Sequence, residues 1–302
     1  MEQLCYYVCS RGLLKFCTFH STKPKSSCNN DFGYLNNMLK SNQMFDGMSI
    51  YVCSDLLKFF VNKILPVLKN KFVLVSGDSD LCVPLEALTK EETYRLLNSP
   101  LLLKWFVQNT RIQDNDKIVQ MPIGLDYHTI ANDPNSKWRI HGENPAPRAQ
   151  EQILVSIKEK TVPFYERIPK IFVNYSIHSD RFQQRQAALN SIPKDLLVVD
   201  LDFKPRTYLW GQMIKYAFVL SPFGIGMDCH RTWEALCLGC IPIVCAPHFQ
   251  TLFEDLPVLV VSDWSEITED LLEKTLDDFE NKTFNYEKLS LAFWKNRIKN
   301  AI

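Results

Sequence analysis

The hydrophobic positions of this chain fall into short apolar runs separated by amphipathic or polar stretches. MSIYVC (48–53) reads as a strand, DLLKFFVNKILPVLKN as a helix bent near Pro66, and KFVLVSG (71–77) as a second strand, which together make a βαβ unit. A helix from about Lys90 to Leu97 follows, then LLLKWFVQN, then KIVQMPIG (117–124), a buried strand that runs into Leu125-Asp126-Tyr127-His128. Residues 132–150, NDPNSKWRIHGENPAPRAQ, gather Pro, Asn, Gly and charge without an apolar period and read as a linker. Beyond them QEQILVSIKEK predicts a helix, KIFVNYS (170–176) a strand and SDRFQQRQAALNSI a polar helix. LLVVDLD and YAFVLSP are strands with a helix at GQMIKY between them, IPIVC and PVLVV complete the second half, and a last helix is expected from about Tyr286 to Ile298. Strands separated by helices imply an α/β fold with parallel sheets, whose ligands sit at the carboxyl ends of the strands.

Length and composition fit two such units. The 302 residues include 46% hydrophobic and 12% aromatic side chains, enough for sizeable cores. Net charge is +0, so nothing marks a nucleic-acid or anionic-membrane partner. Arg11, Lys15 and cysteines interrupt the N-terminal stretch, and no window holds 18 uninterrupted apolar residues. The expectation is a soluble, cytoplasmic protein with no signal peptide or membrane span, in which Asn174-Tyr175-Ser176 and Asn281-Lys282-Thr283 are not glycosylated. Ten cysteines in mostly apolar surroundings read as reduced core thiols. Cys237 and Cys240 form a C-x-x-C, but the second pair a zinc site would need is missing.

The chemistry concentrates in SPFGIGMDCHRTWEALCLGCIPIV (221–244). Gly224 and Gly226 lack Cβ, which predicts positive φ and close approach of a ligand to the backbone. A helix starting at Asp228 or Cys229 runs to about Leu238, where Gly239 terminates it in the left-handed conformation. Unpaired N–H groups at such a helix start favour phosphate. His230 and Arg231 suit phosphate oxygens, and Glu234 suits the two hydroxyls of a ribose. The plainer alternative is an ion-paired Arg231 with Glu234 as its i+3 partner. Ser221 shapes the turn, and Asp228 and Cys229 offer backbone donors. Two further loops converge on the same sheet end, one carrying Arg181 and Arg185 as i+4 partners at a helix start and the other Arg206. Two Asp-x-Asp runs, Asp78-Ser79-Asp80 and Asp200-Leu201-Asp202, follow apolar strands.

Residues 221–244 resemble the donor-site signature of exostosin-like glycosyltransferases (family 47 and viral relatives): a Ser-Pro-Arg-Gly-x-Gly-x-Asp run, a His-Arg-x-Trp-Glu-Ala helix and a Gly-Cys-Ile-Pro strand. Weaker resemblance runs upstream through KIFVNYS, YLWGQMIKYAFVLSP and VQMPIGLDYHT. The chain departs at Phe223, where the family often has Arg. The resemblance implies a GT-B arrangement of two Rossmann-like domains facing across a cleft. Residues 1–145 would form the acceptor side and 146–285 the nucleotide-sugar side, with 286–302 returning to the first. It further implies a UDP-sugar donor, with xylose a guess, a saccharide acceptor, inversion, and no cofactor or divalent metal. Asp80 and Asp78 resemble a Ser-Asp motif at the cleft and are the candidate base, with His128 in reserve. The alternatives are a Mn²⁺-dependent GT-A enzyme using Asp78 and Asp80, and a noncatalytic nucleotide or glycan binder. Oligomeric state is not legible.

Overall fold

The computed structural model describes residues 2–24, 31–133 and 135–301. Among the described residues, nine strands form two sheets that are parallel throughout. The first contains β1 (Met48–Cys53), β2 (Phe72–Gly77), β3 (Leu102–Val107) and β4 (Ile118–Gln120), in the order β1-β2-β3-β4. The second contains β5 (Ile168–Val173), β6 (Leu197–Val199), β7 (Tyr216–Leu220), β8 (Ile241–Val244) and β9 (Leu259–Val260), in the order β6-β5-β7-β8-β9. Every residue of β1 and β2 is buried, as expected where crossovers cover both faces of a parallel sheet.

The two orders differ in a way that matters for ligands. In the first sheet each crossover steps the same way, so no gap opens between neighbouring loops. In the second, the chain steps from β5 outward to β6, then doubles back to place β7 on the other side of β5. The loops after β5 and β7 therefore leave in opposite directions, and a crevice opens between them.

Side-chain packing makes three layers of core. Phe60, Phe72, Leu74 and Trp105 fill the outer face of the first sheet. Ile171, Phe218, Ile241 and Trp264 fill that of the second. A third cluster contains Val73 and Phe106 from the first sheet together with Phe172, Val219 and Trp233 from the second, so the inner core is common to both halves. The chain crosses between the halves twice. After the segment linking β4 to β5, it crosses again beyond β9: a turn at Tyr286–Leu289 and a helix at Leu291–Lys299 lie against the N-terminal helix Ser10–Phe16. There the Val8 N–H donates to the Leu289 carbonyl at 2.8 Å, and the Leu291 N–H to the Tyr6 carbonyl at 2.7 Å. Among the described residues, no helix is long and apolar enough to cross a membrane.

Several elements differ from the sequence reading. The stretch after β1 breaks into 3-10, α and π turns that end at Val67, with Pro66 at the start of the last turn. LLLKWFVQN supplies β3, whereas KIVQMPIG pairs only over three residues. The linker is shorter than expected, because a helix begins at Pro147, whose fixed φ suits a first helical position. The helix before β7 spans Arg206–Met213 rather than starting at Gly211.

Gly239 does terminate the helix before β8, at φ +73. Gly239→Ala is expected to lower the unfolding free energy by about 1–2 kcal/mol, the cost of a Cβ in the left-handed region. Gly211→Ala, in a helix with open space around it, is expected to leave stability equal or higher. Urea denaturation of the two variants checks the contrast.

Candidate functional site

Loops from the carboxyl ends of β2, β4, β5, β6 and β7 enclose one cavity of about 640 Å³ between the sheets. Its wall on the second half is the helix His230–Cys237, whose first turn points into the space. Asp228, just before that helix, fixes its position. The buried Asp228 carboxylate accepts the Trp233 indole N–H at 2.9 Å and the Ile123 backbone N–H at 2.7 Å. The Asp228 N–H donates to the Asn109 side chain at 2.8 Å, and the Asn109 amide in turn donates to the Ser79 carbonyl at 3.0 Å. Ile123, Asn109 and Ser79 belong to the first half, so one residue ties the helix to both halves. Asp228 is expected above as a backbone donor to ligand; its backbone N–H is instead spent on Asn109.

The glycine loop works by closeness rather than by left-handed geometry. Neither Gly224 nor Gly226 has positive φ, which corrects that expectation. A Cβ on Gly226 would come within 3.0 Å of the Asp80 carboxylate, and one on Gly224 within 2.5 Å of the Arg185 guanidinium. Glycine is needed so that the loop can press against a carboxylate from one half and an arginine from the other. Arg185 is buried and donates to the carbonyls of Ser176 (2.6 Å) and Phe223 (3.1 Å), joining the loops after β5 and β7.

Arg231 is different. It lines the cavity with its guanidinium 5.5 Å from the Tyr175 ring, yet it has no hydrogen bond or ion pair among the described residues. Burial, then the neighbouring Arg185 cation, lower its basicity. The Glu234 partnership offered as the plainer alternative does not form, because Glu234 faces Arg206 at 3.5 Å. Arg206 also binds the Asp126 carboxylate at 2.8 Å, and the other oxygen of Asp126 lies 3.1 Å from His128 Nδ1. Burial alone would raise the Asp126 carboxyl, but Arg206, His128 and His230 hold it well below the usual range. Burial outweighs Asp126 at His128, whose pKa is lowered. His230 Nδ1 is 2.7 Å from the Gly124 carbonyl, so Nδ1 carries a proton and donates it to that oxygen.

Asp80, Arg185, Arg206, Gly224, Gly226, Asp228, Cys229, His230, Arg231 and Glu234 thus come together around one space. Asp78 does not join Asp80 there. With φ at 61°, the backbone turns at Asp78, and its buried carboxylate pairs with Arg11 at 2.9 Å. Ser221 is spent on Thr232, their hydroxyls 2.8 Å apart. Arg181 is not on a helix start: the helix begins at Gln184, and Arg181 pairs with Glu86 of the first half. His128 lies behind Asp126 rather than on the cavity wall. Phe223, where the resemblance expects Arg, packs into the core against Phe182 and His248. Cys237 and Cys240 are buried free thiols, and no group of three or more His, Cys, Asp or Glu residues is arranged around a metal position among the described residues.

Sequence reasoning passed over Asp126, Asn174, Tyr175, Trp138 and Phe203, all of them on the cavity wall. Asn174 directly follows β5 and Asp126 closes the apolar run after β4, and those positions were the available signal. Comparison with known proteins adds no assignment: no family model matches the chain, and no curated protein matches it.

Burial raises the Asp228 carboxyl from 3.8 to about 6 against the opposing N–H donors. The folded chain therefore holds this proton more tightly than the unfolded one, so the contribution of Asp228 to stability is greatest below about pH 4 and declines as pH rises to about 6. The decline attributable to this group is roughly 2–3 kcal/mol. Denaturant midpoints across that window are expected to flatten in Asp228→Asn, and an unchanged slope would assign the effect elsewhere.

Proposed function

We propose that the chain is a GT-B-type glycosyltransferase, similar to the exostosin-like group, that moves a sugar from a UDP-sugar to a hydroxyl of a saccharide acceptor with inversion. The observation that carries this reading is Arg231, a guanidinium facing an enclosed cavity without an anion of its own. Arg231 is half-buried and its basicity is lowered by burial and by Arg185, so an anion placed beside it would supply the charge that no protein group does. A diphosphate does so, and the first amides of the His230 helix add donors and the positive end of its dipole.

On this reading Arg231 binds the departing diphosphate and stabilises the negative charge that grows as the glycosidic bond to phosphate breaks. His230, anchored by its Nδ1–H bond to the Gly124 carbonyl, lines the cavity beside the same phosphates. Glu234, oriented by Arg206, faces the ribose hydroxyls. Arg185 braces both loops through the Ser176 and Phe223 carbonyls and so holds the glycine loop in place beside Arg231. Asp80, against Gly226 on the first-half side, accepts the proton of the acceptor hydroxyl as that oxygen attacks the anomeric carbon. Asp126 is saturated by Arg206 and His128 and is unsuited to that role. The Mn²⁺ alternative relied on Asp78 and Asp80 acting together, and the Arg11 pair disfavours that use of Asp78. Residues 1–145 would supply the acceptor side and 146–285 the donor side.

Arg231→Ala is expected to weaken UDP binding by roughly ten- to a hundredfold, the scale of lost charged hydrogen bonds, as measured by calorimetry. Full-strength binding by this variant would remove the central support. Asp80→Asn is expected to bind UDP normally while transfer from a panel of UDP-sugars falls about a hundredfold or more. A wild-type chain that binds UDP but turns over no donor would instead favour a noncatalytic binder.

A further inference from the structure

One end of the cavity lies beyond the diphosphate grip. Trp138, from the segment between the sheets, and Phe203, from the loop after β6, meet there with ring centroids 4.4 Å apart and planes at 57°. They remain 37% and 45% exposed, whereas the other five tryptophans are buried. Trp138 is thus the one exposed tryptophan, and it and Phe203 form an open ring pair on the wall of the cleft, where apolar area marks a binding surface.

Both rings are held in place from the second half. The Trp138 carbonyl accepts the Arg206 N–H at 2.8 Å, and the Asn174 amide donates to the carbonyls of Asp200 and Asp202, fixing the loop that carries Phe203. Lys137 sits 4.3 Å from the Phe203 ring centre.

The sheet order says what reaches them. The Arg231 guanidinium reaches Tyr175, which follows β5, and Phe203 follows β6, the strand beside β5, so both open onto one cavity and a ligand gripped at Arg231 can extend toward the rings. Asp80 lies beside Gly226 near the phosphate end, so the opposite end is left for the base.

We propose that Trp138 and Phe203 form a stacking platform for the nucleobase of the nucleoside diphosphate whose phosphates lie at Arg231. The assignment rests on the diphosphate reading above and extends it to a segment that the sequence presents as a plain linker. Stacking tolerates any base, because each has a π face, so the platform contributes affinity more than base choice.

The test titrates the full chain with UDP and, separately, with inorganic pyrophosphate and with free glucose, by calorimetry and tryptophan fluorescence. UDP is expected to quench the emission of exposed Trp138, and Trp138→Ala to abolish that quenching. Trp138→Ala and Phe203→Ala should each weaken UDP about tenfold while leaving pyrophosphate binding unchanged, and Trp138→Phe should restore most of the loss. Wild-type UDP affinity in both alanine variants overturns the platform and leaves the diphosphate site standing. Equal weakening of UDP and pyrophosphate overturns it too, as does quenching by glucose without quenching by UDP. If the wild-type chain binds neither UDP nor pyrophosphate, the diphosphate site fails and the platform fails with it.

Discussion

The cleft depends on one buried carboxylate. Asp228 receives an indole N–H from the helix it precedes and a backbone N–H from the opposite half, so the orientation of that helix is set by both sheets at once. Keeping a carboxylate so deep is expensive, and the displaced pKa records that expense. The return is a helix start that cannot drift from the loops facing it. With Trp233 fully buried one turn further on, the helix has no freedom to rotate Arg231 out of the cavity.

The other charges divide sharply into saturated and unsaturated groups. Glu234, Arg206, Asp126 and His128 form a continuous chain of partners, and Arg185 is satisfied by two carbonyls. Such groups hold loops at fixed distances, and among them Glu234 alone is also assigned to the ligand, through its place on the cavity wall. Arg231 makes no such bonds, and it stands where the reversal of strand order opens the second sheet. Topology explains why a crevice exists there, and the charge pattern explains why an anion suits it.

Much of the fold was legible because parallel strands buried on both faces are continuous apolar words, as in FVLVSG and YAFVL, and because Gly239 sits where a helix must end. The failures have physical causes. A glycine needed for φ and a glycine needed for closeness look identical in a sequence, and Gly224 and Gly226 are of the second kind. Asp78 and Asp80 are two residues apart, yet the left-handed turn at Asp78 sends one carboxylate into the protein and leaves the other in the cleft. Gln183, also at positive φ, delays its helix and removes Arg181 from the face predicted for it. Trp138 was invisible as a site residue because its importance comes from Phe203, 65 positions away, and no local period encodes that meeting.

The double crossing of the chain between the sheets has a mechanical meaning. A body attached at a single point can swing and twist freely, whereas one attached at two can turn only about the line joining them. The segment after β4 and the return to the Ser10–Phe16 helix act as two pins of a door. The two crossings by themselves would leave only a rotation about the line joining them, and the common core with the Asp228 and Arg181 contacts bolts that door shut along its length.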